Sequence, residues 1–384
     1  MARSRPAKKS GDKTKTSSAR APSLAALQSK LDRLDRELLR LANERACVSV
    51  QIGKLHQAAG QPAFVLGQEE EAIARVVGLT KGPLSQRTIR AVFRELVSGS
   101  RLLLRTLRVA FLGPLYSYSH LAAIHRFGQG VELTPVGSIA AVFEEVNRGH
   151  SDFGLVPIEN STDGRVADTL DMFTRLPVRI CGEIELEIHH ALLGKCSRAE
   201  IKEVYSRPQA LSQCRNWLAK HLPAARTIEV TSTSTAAQLA NEKPGAAAIA
   251  SLQAGIHYGL NVLAEQIEDN PDNTTRFAVI GDHSSPRTGH DKTAMMFQVE
   301  HRPGSLADAI NVFKRNRLNL TWIESFPIPG SKRAYLFFVE MEGHETDAPV
   351  RRAVAALQQK TLRLEILGSF AADRTNGTER TAEM

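Results

Sequence analysis

The sequence predicts a multidomain chain: an all-α N-terminal part, a central α/β part and a small C-terminal βαββαβ unit. Three observations carry this. Leucines recur at spacings of three and four near the N-terminus, strands and helices alternate from 108 to 283, and six elements follow as β, α, β, β, α, β over 292–371. No apolar run approaches the roughly 18 residues that cross a bilayer, and the N-terminus has no apolar signal-peptide region. Four scattered cysteines, Cys47, Cys181, Cys196 and Cys214, form no CxxC and have no His at ligand spacing. Neither a disulfide framework nor a metal site is expected, and a cytoplasmic location fits.

The net charge of +8 suggests nucleic acid until it is localised. Residues 1–20 hold seven Lys/Arg and one acid, so six of the eight charges sit in this segment. Residues 1–22 read as a disordered basic tail, and neither nucleic-acid nor membrane binding is expected of the rest.

Residues 23–107 read as helix. Leu24, Leu27, Leu31, Leu34, Leu38 and Leu41, continued by Val48, Ile52 and Leu55, form an a/d seam. Gly60-Gln61-Pro62 ends this helix; others are expected at 67–78 and 84–106. So long a helix in a three-helix unit usually completes its core with a second subunit, so a homo-oligomer is expected. Over 108–283, strands are expected near 108–112, 131–136, 153–158, 180–192, 202–205, 227–231, 246–250 and 275–281. Helices are expected near 119–127, 138–148, 165–174, 208–220, 234–242 and 251–258. Such alternation argues a largely parallel sheet. Residues 284–291 read as a linker, 292–371 as the ferredoxin-like plan and 372–384 as a frayed tail.

In open α/β sheets ligands bind beyond the strand C-termini, and the polar residues cluster there. Gly113-Pro-Leu-Tyr-Ser-Tyr-Ser-His120 joins a strand to a helix. Ser117 and Ser119 either cap the helix or help its N–H groups hold a carboxylate. Glu159, Asn160, Ser161 and Thr162 crowd a carboxylate, an amide and two hydroxyls into four positions. Gln209 follows an N1 proline and reads equally as helix-start structure or pocket lining. Thr231–Thr235 offers five hydroxyls before a helix, Ser232 and Ser234 among them. Thr275-Arg276-Phe277 opens a strand, where an Arg suits carboxylate recognition or a surface ion pair. The inferred pocket suits a small anion, handled by hydrogen bonding and general-acid help, without a metal or cofactor.

Segments GLVPIENSTDG (154–164), VYSRPQALSQCRNWL (204–218) and NTTRFAVIG (273–281) resemble the prephenate dehydratase domain. KTAMMFQVEHRPGSLADAI (292–310) and NLTWIESFP (319–327) resemble the ACT regulatory domain, and the N-terminal helices resemble the all-helical chorismate mutase domain. Together the chain resembles the bifunctional P-protein family of phenylalanine biosynthesis. The resemblance implies a two-lobed, periplasmic-binding-protein-like catalytic domain that turns prephenate into phenylpyruvate, water and carbon dioxide. It implies that Thr275 assists the leaving hydroxyl, Arg276 holds a carboxylate and Phe277 supports the site. Glu159, Asn160, Ser161, Thr162, Gln209, Ser117, Ser119, Ser232 and Ser234 would line the pocket. L-phenylalanine is the implied effector, at Gly304-Ser305-Leu306 and at Glu324-Ser325, where Phe326 replaces an Arg.

Two departures matter. Leu115 and Tyr116 stand where the family shows a charged residue and Gly, and Tyr adopts φ > 0 only at a cost. This leaves arogenate open as substrate. In the mutase-like helices the expected pocket falls on Gln28, Arg45, His56, Gln68 and Glu69, of which Arg45 and Glu69 keep the expected type. Ser100 is in place, but Leu104 replaces a Gln. Each lost charge-assisted contact costs roughly 1.5–3 kcal/mol, so a weak or lost mutase is expected, with an active mutase as the alternative. A non-catalytic amino-acid sensor is the reading from a different class, and the intact Thr275-Arg276-Phe277 argues against it.

Overall fold

The leucine seam forms one long helix in the computed structural model, which describes residues 23–60, 63, 66–328 and 334–373. The basic tail and the C-terminal residues from 374 lie outside the described residues. Helices α1 (Leu24–Ala58), α2 (Leu66–Gly78) and α3 (Gln86–Leu102) open the chain. Ser85 caps α3, its hydroxyl accepting from the Thr88 amide at 3.1 Å. One compact unit ends at Val48 and another begins at Ser49. In the first, Leu24, Leu27, Leu31, Leu34, Leu38 and Leu41 are each at least 46% exposed. No helix among the described residues is long and apolar enough to cross a membrane.

The α/β part comprises two lobes, each with its own sheet. The first contains β1 (Leu107–Leu112), α4 (Tyr118–Phe127), β2 (Val131–Val136), α5 (Ile139–Asn147), β3 (Phe153–Asn160), β4 (Gly164–Arg165), α6 (Ala167–Arg175) and β5 (Arg179–Glu187). The second contains β6 (Ala191–Gly194), β7 (Glu203–Ser206), α7 (Pro208–Gln213), α8 (Arg215–His221), β8 (Arg226–Glu229), α9 (Thr233–Glu242), β9 (Ala246–Ala250), α10 (Leu252–His257) and β10 (Asn261–Ala264). The chain then returns to the first sheet as β11 (Thr274–Gly281). The strand orders are β2-β1-β3-β11-β5, with β4 on β3, and β10-β6-β9-β7-β8.

Several expectations are corrected. The sheets are mixed rather than largely parallel, because β11 and β6, the strands made by crossing between lobes, run antiparallel to their neighbours. The single strand expected at 180–192 is two strands in different sheets. Ile188–His190 turns between them, with the His190 amide donating to Glu268 at 2.8 Å. The helix expected at 208–220 is two helices broken at Cys214, where φ is −115° and ψ 13°. Strands β4 and β10 were not expected. The linker is docked: Ser285 is buried and its amide donates to the Ser369 carbonyl at 3.1 Å.

The C-terminal unit is β12 (Asp291–Gln298), α11 (Ser305–Arg315), β13 (Leu320–Pro327), β14 (Tyr335–Glu342), α12 (Ala348–Gln358) and β15 (Arg363–Ala371). Its antiparallel order β13-β14-β12-β15 is the ferredoxin-like arrangement. Alternation sends Met295, Phe297 and Val339 into the core with α11 and α12. Ala294, Met296, Leu336 and Phe338 point the other way, into one core with Val142, Phe143 and Ala278 of the first lobe. Gly368 permits this docking: a Cβ there would lie 2.1 Å from the Ile180 carbonyl oxygen on β5.

Candidate active site

A cleft of about 1030 Å³ lies between the two lobes. Ser117, Ser119, Asn160, Gln209, Ser232, Thr275 and Phe277 line it. Three helices of nine or ten residues begin there, capped by Ser117 (α4), Ser138 (α5) and Ser232 (α9). Each N-terminus presents N–H groups and the positive end of a helix dipole. The hydroxyls of Ser117 and Ser232 thus cap helices and face the cleft together.

Thr275 sits where β11 pairs with Asn160 on β3. Asn160 Nδ2 donates to Thr275 Oγ1 at 2.8 Å, and Asn160 Oδ1 accepts from the Thr162 and Asp163 amides at 3.0 Å each. Those two amides fix which end of Asn160 carries the oxygen. With an N–H pointed at its oxygen, Thr275 has its own proton left to donate. Behind it the network continues. Asn160 Nδ2 also donates to Asn273 Oδ1, and Asn273 Nδ2 to Gln213 Oε1, both at 3.0 Å. His190 Nε2 lies 2.9 Å from that Gln213 oxygen, which only accepts, so Nε2 carries the proton. His190 Nδ1 lies 3.0 Å from Tyr118 Oη. Burial pushes the His190 pKa down and the Tyr118 pKa well up. The neutral forms therefore prevail, and the network orients Thr275 from both lobes.

The structure moves other expected residues away from the cleft. Thr275 and Phe277 line the cleft, but Arg276 between them points to the opposite face, as alternation along a strand requires. Its guanidinium meets Glu340, Glu183 and Glu159. Burial disfavours its charge, but these carboxylates outweigh that and hold its pKa above the ordinary arginine value. Glu159 leaves the cleft with it, 3.2 Å from Arg276. Ser161 accepts from the Thr274 amide at 2.9 Å on that same side. Thr162 does not line the cleft; its hydroxyl donates to Asn273 Oδ1 at 3.4 Å. Ser234 is buried, donating to the Leu115 carbonyl at 2.8 Å.

Among the described residues the cations lining the cleft are Arg165 and Arg207. Sequence reasoning passed over both, and His190 as well. Arg207 donates to Gln209 Oε1 at 3.0 Å, and burial lowers its pKa. Tyr116 does adopt the glycine-like conformation, with φ 63°. Its amide donates to His120 Nδ1 at 3.0 Å and its ring stacks on His257 at 3.8 Å.

Of the mutase-like set, Gln28 and Arg45 belong to the unit ending at Val48, and His56, Gln68 and Glu69 to the other. His56 is half-buried, Gln68 is exposed, and Glu69 lies 3.6 Å from the buried Arg101. Ser100 donates to the Leu96 carbonyl at 2.6 Å. Of the effector set, Gly304 has φ 86° at the start of α11, with Ser305 buried behind it and Leu306 at the surface. Glu324 faces the first lobe, 2.9 Å from Arg165, and the next residue, Ser325, is exposed.

The chain matches the family model for prephenate dehydratase over residues 109–285 and that for chorismate mutase type II over 27–104. It is 41% identical over 352 residues to a bifunctional chorismate mutase/prephenate dehydratase of Aquifex aeolicus, covering 90% of this chain and 97% of that one. It is 38% identical to a protein of the same name from Pseudomonas aeruginosa, covering 90% of this chain and 97% of the other. The solved structure of prephenate dehydratase in complex with L-Phe from Arthrobacter aurescens is 34% identical, with a TM-score of 0.64, covering 69% of this chain and 90% of that chain. The expected loss of the mutase finds no support in these matches, since the mutase model spans the helices and the relatives are named bifunctional. The chain belongs to the bifunctional chorismate mutase/prephenate dehydratase family.

Proposed function

We propose that the cleft converts prephenate to phenylpyruvate, water and carbon dioxide. The observation that carries this is the Asn160–Thr275 hydrogen bond, which leaves the hydroxyl proton of Thr275 free to be donated in a cleft that also holds Arg165, Arg207 and three helix N-termini. Arg165, Arg207 and the three helix N-termini hold the two carboxylates of the substrate. The ring carbon–oxygen bond breaks while Thr275 donates a hydrogen bond to the departing oxygen, which takes up a solvent-derived proton and leaves as water. The bond from the ring to its carboxylate breaks with it. That electron pair enters the ring, which becomes aromatic as carbon dioxide departs. A threonine hydroxyl is far too weak an acid to be consumed, so its part is to orient and stabilise.

A second activity, chorismate mutase in the N-terminal helices, is favoured by the match over 27–104. L-phenylalanine is the proposed effector, bound by the C-terminal unit; the Arthrobacter aurescens relative, solved in complex with L-Phe, supports this ligand. The exposed leucine seam of α1 supports a homo-oligomer in which a second copy covers it.

The test supplies purified protein with prephenate, arogenate or chorismate and identifies the product. Phenylpyruvate from prephenate supports the dehydratase, and from chorismate as well supports both activities. Phenylalanine from arogenate alone would replace the substrate, and no product from any of the three would leave the sensor reading.

A further inference from the structure

Arg276 stands between Thr275 and Phe277, the two residues of its strand that line the cleft, and its side chain leaves on the other face. The guanidinium Nη1 meets Glu340 of β14 and lies 3.3 Å from Glu183 of β5, and Nη2 lies 3.2 Å from Glu159 of β3. Its central carbon lies 5.1 Å from the Trp322 ring of β13, within cation–π range. Lys292 of β12 holds Glu183 at 2.7 Å. Glu340 and Trp322 thus reach from the C-terminal unit to the residue next to Thr275.

Glu340 is out of place by packing alone. It lies on the face of β14 where Leu336 and Phe338 join the first lobe's core, and it is 1% exposed. A buried carboxylate persists there only because a cation meets it. The register between β11 and β3 skips Ile158, so the extra residue lies on β3 and it is β3, the strand of Glu159, that bends beside the cluster. An adjoining cavity of about 290 Å³, lined by Glu159, Arg276, Lys292, Trp322 and Glu340, leaves the cluster room to rearrange. A second link lies nearby, since Arg165 of the cleft holds Glu324 at 2.9 Å.

We propose that Glu340 and Trp322 are positioning residues for the dehydratase reaction. They hold Arg276 and, through the strand, set the Thr275 hydroxyl toward the substrate. The C-terminal unit is in this way part of the working active site. The proposal rests on the dehydratase reading above.

The test uses the full chain carrying Glu340→Gln, Arg276→Gln, both together, Glu340→Asp and Trp322→Leu. The readouts are kcat and KM for prephenate, and amide hydrogen exchange over 273–277. Glu340→Gln is expected to lower kcat at least tenfold with KM within twofold, because Glu340 touches no substrate. The double variant should be no slower than the slower single one. Glu340→Asp should recover part of kcat and keeps the test open where Glu340→Gln does not fold. Trp322→Leu should lower kcat several-fold. A Glu340→Gln chain within twofold of wild-type kcat, or singles whose effects multiply in the double, would overturn the proposal. A wild-type chain without turnover would sink the dehydratase reading, and exchange then decides. Faster exchange at 273–277 with unchanged exchange in β7 and β9 supports the coupling, and unchanged exchange at 273–277 overturns it.

Discussion

Asn160 points its amide nitrogen at the Thr275 hydroxyl oxygen, 2.8 Å away, and two backbone amides hold its own oxygen so that it cannot turn over. The direction of this hydrogen bond decides whether Thr275 donates to the substrate. Asn160→Asp replaces the donor by an acceptor, so the Thr275 proton turns away from the cleft. The variant should lose at least about a hundredfold in kcat, the lower end of what one positioned hydrogen-bond donor contributes. Steady-state kinetics check this, and an Asn160→Asp enzyme with near-normal kcat contradicts it.

Arg207 lines the cleft, and its guanidinium donates to the neutral side chain of Gln209 at 3.0 Å. Its charge feels the Asp163 carboxylate of the same cleft, and a substrate carboxylate would compete with Asp163 for it. Arg207→Gln should raise KM for prephenate about tenfold or more, as a lost charge-assisted contact costs roughly 1.5–3 kcal/mol. A fall in kcat alone, with KM unchanged, would remove Arg207 from substrate binding.

Burial lowers the pKa values of His120, His125 and His190. The unfolded chain therefore takes up protons near the ordinary histidine pKa, about 6.5, before the folded chain does. The stability these groups contribute is present above that pH and is lost as pH falls through the lowered folded values. The thermal midpoint should fall as pH drops from about 7.5 to about 5.5, a window that spans the ordinary histidine value, and less steeply in His190→Gln. Parallel curves for the two proteins would show that His190 titrates normally.

Tyr116 occupies a left-handed conformation at φ 63°, which costs a non-glycine residue roughly 1–2 kcal/mol. Its stacking on His257 and its hydrogen bonds offset that cost. Tyr116→Ala loses the stacking and keeps the strain, whereas Tyr116→Gly loses both. The alanine variant should therefore melt below the glycine variant, with wild type above the alanine variant. An alanine variant that melts above the glycine variant would mean that the backbone relaxes once the ring is gone.

Repetition along the chain made most of the fold legible. The leucine spacing gave α1, and the order of six elements gave the C-terminal unit, because both are local patterns. The lobe switch at Ile188–His190 was hidden because apolar runs on both sides read as one strand, although two adjacent histidines within that run were a signal. Arg276 shows the limit more sharply. Alternation required it to oppose Thr275 and Phe277, but only the packed C-terminal sheet reveals which face is the cleft. Arg165 and Arg207 were missed because they converge from different lobes, 42 positions apart in sequence. His190 was missed because its partners, Tyr118, Gln213 and Asn273 by way of Gln213, come from three distant segments.

The most direct test of the account compares phenylpyruvate release from prephenate by the wild-type chain and by Thr275→Val, which keeps the shape and removes the hydroxyl. The account predicts steady release by wild type and at least about a hundredfold lower kcat in the variant, as for the loss of one positioned hydrogen-bond donor, with the thermal midpoint little changed. Equal rates from the two proteins, or no phenylpyruvate from the wild type, would contradict it.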